Sequence, residues 1–115
     1  MIHIRIDAAG ERIRSVEMSG HGGASRGKDL VCAAISAVAE TALAGLLHYG
    51  GDRVSWRMDE GFVSMRIRDP GDDDASEPLN VVMTTLVIGI KEIAREYPQQ
   101  IRLELKQDPG IPDEA

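Results

Sequence analysis

Cysteine is nearly absent from this 115-residue chain; the one present is Cys32. A lone thiol excludes an internal disulfide framework and suits a reducing cytoplasm. Histidine is scarce too, at positions 3, 21 and 48. One thiol and three dispersed imidazoles lack the paired spacing of a tetrahedral zinc site, so neither metal nor cofactor is expected. Aromatic residues are 3%, which leaves Ile, Leu, Val, Met and Ala to build the core. Positive charge is outnumbered, with 13 Lys and Arg against 19 Asp and Glu. The net charge of −6 argues against direct nucleic-acid binding, which needs a basic stripe to neutralise phosphates. Every apolar run meets a polar break before it is long enough to cross a bilayer, and Ile2-His3-Ile4-Arg5-Ile6 is no signal peptide. A cytoplasmic protein without membrane contact is therefore expected. What remains, 43% apolar and 28% charged residues, is the balance of one globular domain with one core.

Ile2, Ile4 and Ile6 alternate with polar residues, the period of a half-buried strand. A turn at Ala9-Gly10 leads to a second strand on Ile13, Val16 and Met18, whose one slip of phase marks a bulge. A Gly-, Ser- and Ala-rich loop follows from Ser19 to Gly27. Asp29, a good N-cap, then opens an apolar run from Leu30 to Tyr49 that stops at Gly50-Gly51, the pattern of a helix. Val54, Trp56 and Met58, a break at Asp59-Glu60-Gly61, and Phe62, Val63, Met65 and Ile67 predict a second hairpin. The acidic stretch Asp69-Pro70-Gly71-Asp72-Asp73-Asp74 lacks the alternating ligands and closing glutamate of a calcium loop and is expected to be a solvated linker. A second helix begins at Ser76 or Glu77 with Pro78, carries Leu79, Val82, Met83, Leu86, Ile90 and Ile93 on one stripe, and ends before Pro98. Ile101, Leu103 and Leu105 make a last strand. The expected fold is α+β: a five-stranded, largely antiparallel sheet in the order β-β-α-β-β-α-β, with both helices on one face. Residues 1–106 form the single domain and 107–115 a loose tail. The open face is expected to be polar or a dimer surface.

Chemistry concentrates between Ser19 and Ser36. With Asp29 as N-cap, Cys32 occupies the first helical turn, where unpaired backbone N–H groups and the positive end of the dipole favour a thiolate. That contributes roughly 0.3–1 kcal/mol, and the Asp29 carboxylate opposes it, so the helix alone does not make a strong nucleophile. An imidazole does, because thiolate–imidazolium pairing pulls a cysteine pKa to ~3.5–7.5. His21, where the second strand enters the glycine loop, is on the side of the sheet where the helix starts. His3 is on the solvent phase of its strand and His48 at the far end of the helix. Gly20, Gly22, Gly23 and Gly27 allow the loop to approach closely and to move. Ser36, one turn after Cys32, is placed to hydrogen-bond the imidazole, the thiol or a substrate. The bland alternatives are a small core cysteine, a loop histidine, a serine bonded to its own helix backbone and a plain capping aspartate.

Gly20-His21 followed by Gly27-Lys28-Asp29-Leu30-Val31-Cys32-Ala33-Ala34-Ile35-Ser36-Ala37 resembles the signature of the ribosomal-processing cysteine protease family, Prp. The resemblance implies an endopeptidase with Cys32 as nucleophile and His21 as general base. Asp29 and Ser36 would support them, and the glycine loop would be a mobile lid. It further implies a homodimer without metal or cofactor. The substrate would be the precursor of bacterial ribosomal large-subunit protein twenty-seven, cut after an aromatic residue to remove an N-terminal extension. The chain departs from the signature at Gly22, where alanine is frequent, and in a loop one residue shorter that lacks an aromatic. The alternative is a non-catalytic module that binds a ribosomal or ribosome-assembly partner with the same cleft.

Overall fold

Alternating Ile2, Ile4 and Ile6 lie in strand β1 (Ile2–Ala9), which pairs antiparallel with β2 (Arg12–Ser19) across the Ala9-Gly10 turn. The computed structural model describes residues 1–20, 30–68 and 76–107. The slip of phase in β2 is a β-bulge. Partners step from Asp7–Ser15 to Ala8–Ile13, so Arg14 is the extra residue and Ile13 returns to the face of Val16. Helix α1 (Leu30–Gly50) leads through a 3₁₀ turn at Gly51–Arg53 into the hairpin β3 (Val54–Asp59) and β4 (Phe62–Ile67). Helix α2 (Glu77–Glu96), with Pro78 in its first turn, and β5 (Ile101–Gln107) complete the order expected. The acidic linker and residues 108–115 lie outside the described residues.

The sheet order is β3-β4-β2-β1-β5. Three neighbouring pairs are antiparallel and β1–β5 is parallel, so the sheet is mixed but mostly antiparallel. The parallel pair arises because α2 carries the chain back to the start of β1, where the Ile2 N–H donates to the Gln100 carbonyl at 2.9 Å. β5 also runs one residue past its expected end. Gln107 pairs with Ala8, and its side-chain amide donates to the Gly10 carbonyl at 3.3 Å.

One face of the sheet is apolar. Ile4, Ile6, Val16, Met18, Val63 and Met65 are buried with Ile35 and Leu46 of α1 and Leu79, Met83 and Ile90 of α2 in one core. Each side chain of this size contributes roughly 1.5–3 kcal/mol on burial. The helices are antiparallel: Gly45 faces Val82, Gly89 faces Val38, and Gly50 abuts Leu79. The opposite face is polar, carrying His3, Arg5, Glu17, Arg66, Arg102 and Glu104, with Arg5 and Asp7 3.6 Å apart.

α1 has little polar about it. By length and composition alone it is long and apolar enough to cross a membrane, with Glu40 its one charged break before the last turn. Its buried stripe, from Val31 and Cys32 through Ile35, Ala39 and Leu43 to Leu46, is committed to the core of this domain.

Candidate active site

Cys32 is the third residue of α1 and 1% exposed, on the stripe that also buries Val31, Ile35 and Ser36. This first turn is the positive end of the helix dipole, where a thiolate is favoured over a thiol. Ser36 follows one turn later, 5% exposed, and its Oγ has no hydrogen-bond partner among the described residues. The helix-backbone bond open to such a hydroxyl is made by others, Thr41 to the Ala37 carbonyl and Thr85 to the Val81 carbonyl, but not by Ser36. A buried unpaired hydroxyl costs roughly 1–3 kcal/mol. Among the described residues its donor and acceptor are left open one turn from the thiol.

The helix pairing locates this end of α1. Since Gly50 meets Leu79 and Gly89 meets Val38, Leu30 lies toward the C-terminal end of α2, where Gln100 holds Ile2. Gly20 is at that same end. Its N–H donates to the Gly61 carbonyl at 3.0 Å, and its Cα faces the Met1 carbonyl so closely that a Cβ would sit 2.5 Å from the oxygen. The described residues on either side of positions 21–29 therefore converge where Cys32 is. His21, Gly22, Gly23, Gly27 and Asp29 themselves lie outside the described residues, so the dyad, the cap and the lid are not described by this geometry.

The other imidazoles are placed elsewhere. His3 is exposed on the open face of the sheet. His48 stacks edge-on against Tyr49, with ring centroids 4.9 Å apart, about 24 Å along α1 from Cys32 at the helical rise. Among the described residues no three thiol, imidazole or carboxylate groups cluster to hold a metal. An apolar groove of about 490 Å³ runs between the outer faces of the helices, lined by Val38, Thr41, Gly45, Val82, Thr85 and neighbours, and Cys32 does not line it.

Gly20 is the described member of the glycine set and has a reason to be glycine. Its φ of +88° is a left-handed conformation, as is Gly10 at +65°, but Gly10 has open space where its Cβ would go. Gly10→Ala is expected to cost about 1–2 kcal/mol, the backbone penalty alone. Gly20→Ala is expected to cost about twice that, because the clash with Met1 adds to it. Urea unfolding of both variants reads the difference, and equal losses would show that the N-terminus simply yields.

Sequence reasoning missed two exposed apolar residues at this end. Trp56 and Met58 point to the helix-bearing face yet are 51% and 40% exposed. The available signal was the outer position of a strand that two helices do not fully cover.

Comparison with known proteins gives a consistent picture. The family model for cysteine protease Prp matches residues 1–102. Among solved structures, the fold is similar to SMU.848 from Streptococcus mutans, with a TM-score of 0.77, 24% identity, and coverage of 94% of this chain and 96% of that one. It is similar also to the essential ribosomal processing protease Prp from S. aureus with a covalently linked product peptide, at 27% identity and a TM-score of 0.75. The same S. aureus protease with a substrate peptide aligns at 25% identity and a TM-score of 0.75. Both alignments cover 92% of this chain and 100% of the other. No curated protein matches.

Proposed function

This chain belongs to the cysteine protease Prp family, and we propose that it is a cytoplasmic endopeptidase of ribosome assembly that acts through Cys32 and His21. The observation that carries the proposal is the position of the chain's one thiol, in the first turn of α1 within the span matched by the family. His21 Nε2 or Nδ1 takes the Sγ proton, and the thiolate attacks the scissile carbonyl carbon. Backbone N–H groups at the start of α1 hold the resulting oxyanion. Collapse breaks the C–N bond, and the imidazolium returns its proton to the leaving amine. Water, deprotonated by His21, then cleaves the thioester and restores the thiol. The S. aureus relative with its covalently linked product peptide supports a covalent intermediate of this kind. Ser36 is assigned a supporting hydrogen bond, and Asp29 the helix cap.

The substrate proposed is the precursor of ribosomal large-subunit protein twenty-seven, relieved of its N-terminal extension. Support comes from the S. aureus relative, a ribosomal processing protease, and from an acidic chain that suits a basic ribosomal substrate. The test is incubation with a synthetic peptide copying the extension and its junction, read by mass spectrometry. A single cut at the junction is expected, and an intact peptide would overturn the substrate assignment. One observation favours a non-catalytic binding module instead, the burial of Cys32 to 1%. Attack requires the groups covering the thiol to part when a substrate binds.

We assign the apolar outer groove of the helix pair to a second copy of the chain. Between Leu30 and Leu47 the sole charged residue is Glu40, and Val81 and Ile88 on α2 are 54% and 57% exposed. Sedimentation is expected to show a dimer that Val81→Asp converts to a folded monomer, because an unpaired carboxylate cannot be buried cheaply. A monomeric wild-type protein would sink this assignment.

A further inference from the structure

Strand β3 is an outer strand, so along one edge its N–H and C=O groups have no neighbouring strand among the described residues. Its register sets Val54, Trp56 and Met58 opposite Ile67, Met65 and Val63 of β4. Those β4 partners are 4%, 0% and 2% exposed, which identifies the face of all six as the helix-bearing one. Val54 is covered as well, at 6%, where the end of α1 approaches it: a Cβ on Gly50 would lie 3.2 Å from its side chain. Trp56 and Met58 are not covered. The core-facing row of β3 thus passes from covered to uncovered along the strand, in the direction of the end where α1 begins. That end also carries Leu30, 76% exposed, two residues before Cys32. Large apolar side chains in an inward register but left in water, beside an unpaired strand edge, form a surface suited to a particular visitor.

We propose that the free edge of β3 receives the substrate chain as an added strand. This deepens the proteolytic reading and rests on it. An extended peptide pairs its backbone with β3 and lays alternate, apolar side chains on Trp56 and Met58, because side chains of a strand alternate between faces. Its intervening residues face the side of Ser55, Arg57 and Asp59, where the Arg57–Asp59 pair at 2.7 Å is exposed and polar. The occupant is therefore an unfolded segment with apolar residues at every second position. A protease gains directly from this mode, since a peptide held as a strand exposes its scissile bond, and a strand added beside β3 reaches toward the end of the sheet at which α1 and its Cys32 begin. A helix lacks the free backbone groups to do it.

Trp56 is the chain's one tryptophan, so its emission reports on this edge alone. The experiment adds the synthetic precursor peptide to the Cys32→Ala protein and follows peptide anisotropy and Trp56 emission together. A shift of emission to shorter wavelength that saturates with the anisotropy is expected. A scan of single backbone N-methyl groups along the peptide is expected to weaken binding about tenfold at alternate residues and little between them, since one strand hydrogen bond and its pairing register are lost at each. In the wild-type enzyme Trp56→Glu is expected to raise KM about tenfold with kcat unchanged. Binding with an unmoved Trp56 spectrum and no alternation in the scan overturns the edge, even where the wild type cleaves the peptide and the protease reading stands. A shifted spectrum with alternation, but no cleavage by the wild type, upholds the edge as a peptide-binding strand and overturns the substrate assignment. Loss of the dimer in Trp56→Glu would instead make β3 an interface between copies and would overturn the proposal.

Discussion

Cys32→Ala is expected to reduce cleavage of the precursor peptide by at least about 10⁴-fold, to the level of peptide without enzyme, because the covalent step has no other nucleophile. The fold should survive. The side chain is 1% exposed in the core cluster, so its loss leaves a small cavity costing about 1 kcal/mol, a fall of roughly 4 °C in Tm for a domain of this size. The contrast between a large kinetic and a small thermodynamic effect is the useful quantity. A variant that unfolds would make Cys32 mainly a packing residue, and a variant that still cuts would move the nucleophile elsewhere. Mass spectrometry of the wild type during turnover should find the acyl adduct on Cys32, and the variant should show none.

Much of the architecture is written in periods that local chemistry imposes. Ile2, Ile4 and Ile6 alternate because one face of β1 meets the core, and the spacing of Ile13 and Val16 betrays the bulge at Arg14 because the buried face must be regained. The Leu79 to Ile90 stripe of α2 is readable for the same reason, at a period of 3.6 residues. Periods do not state neighbours. Nothing in Ile101, Leu103 and Leu105 says that β5 lies parallel to β1; that follows from α2 returning the chain to Ile2. Nor does alternation in Val54, Trp56 and Met58 tell which of the three a helix covers, since coverage depends on where α1 diverges from the strand. The apolar run of α1 likewise hides how its two faces divide, one committed to the core and one open in the outer groove. At the site, the order Gly-His, loop, Asp and Cys in the first turn is legible as a motif. The burial of Cys32 and a Ser36 hydroxyl without a partner among the described residues are properties of packing and had to be seen.

His21→Ala is expected to lower kcat/KM about 10²–10⁴-fold, the range for removing a positioned acid–base group. Magnitude alone would not distinguish a base from a structural residue, so the pH dependence carries the assignment. An imidazolium beside Cys32 favours the thiolate, which places the apparent titration of the thiol below its ordinary value of ~8.5. Alkylation of the wild type by iodoacetamide should then already be fast near pH 6 and rise little above it. Without His21 the thiol loses that partner and the profile moves up. The rate should climb about tenfold per pH unit until the thiol titrates, and burial of the side chain pushes that point up rather than down. The variant is thus expected to lag greatly at pH 6 and to close on the wild type as the pH rises. Slow access to a thiol that is 1% exposed lowers both curves alike and leaves their midpoints where they are. His3→Ala and His48→Ala serve as controls: one imidazole is on the open face of the sheet and the other stacks on Tyr49 at the far end of α1. Neither should shift the midpoint. The values read belong to the coupled pair rather than to either residue. A wild-type profile with an ordinary thiol midpoint, unchanged by His21→Ala, would end the case for the dyad.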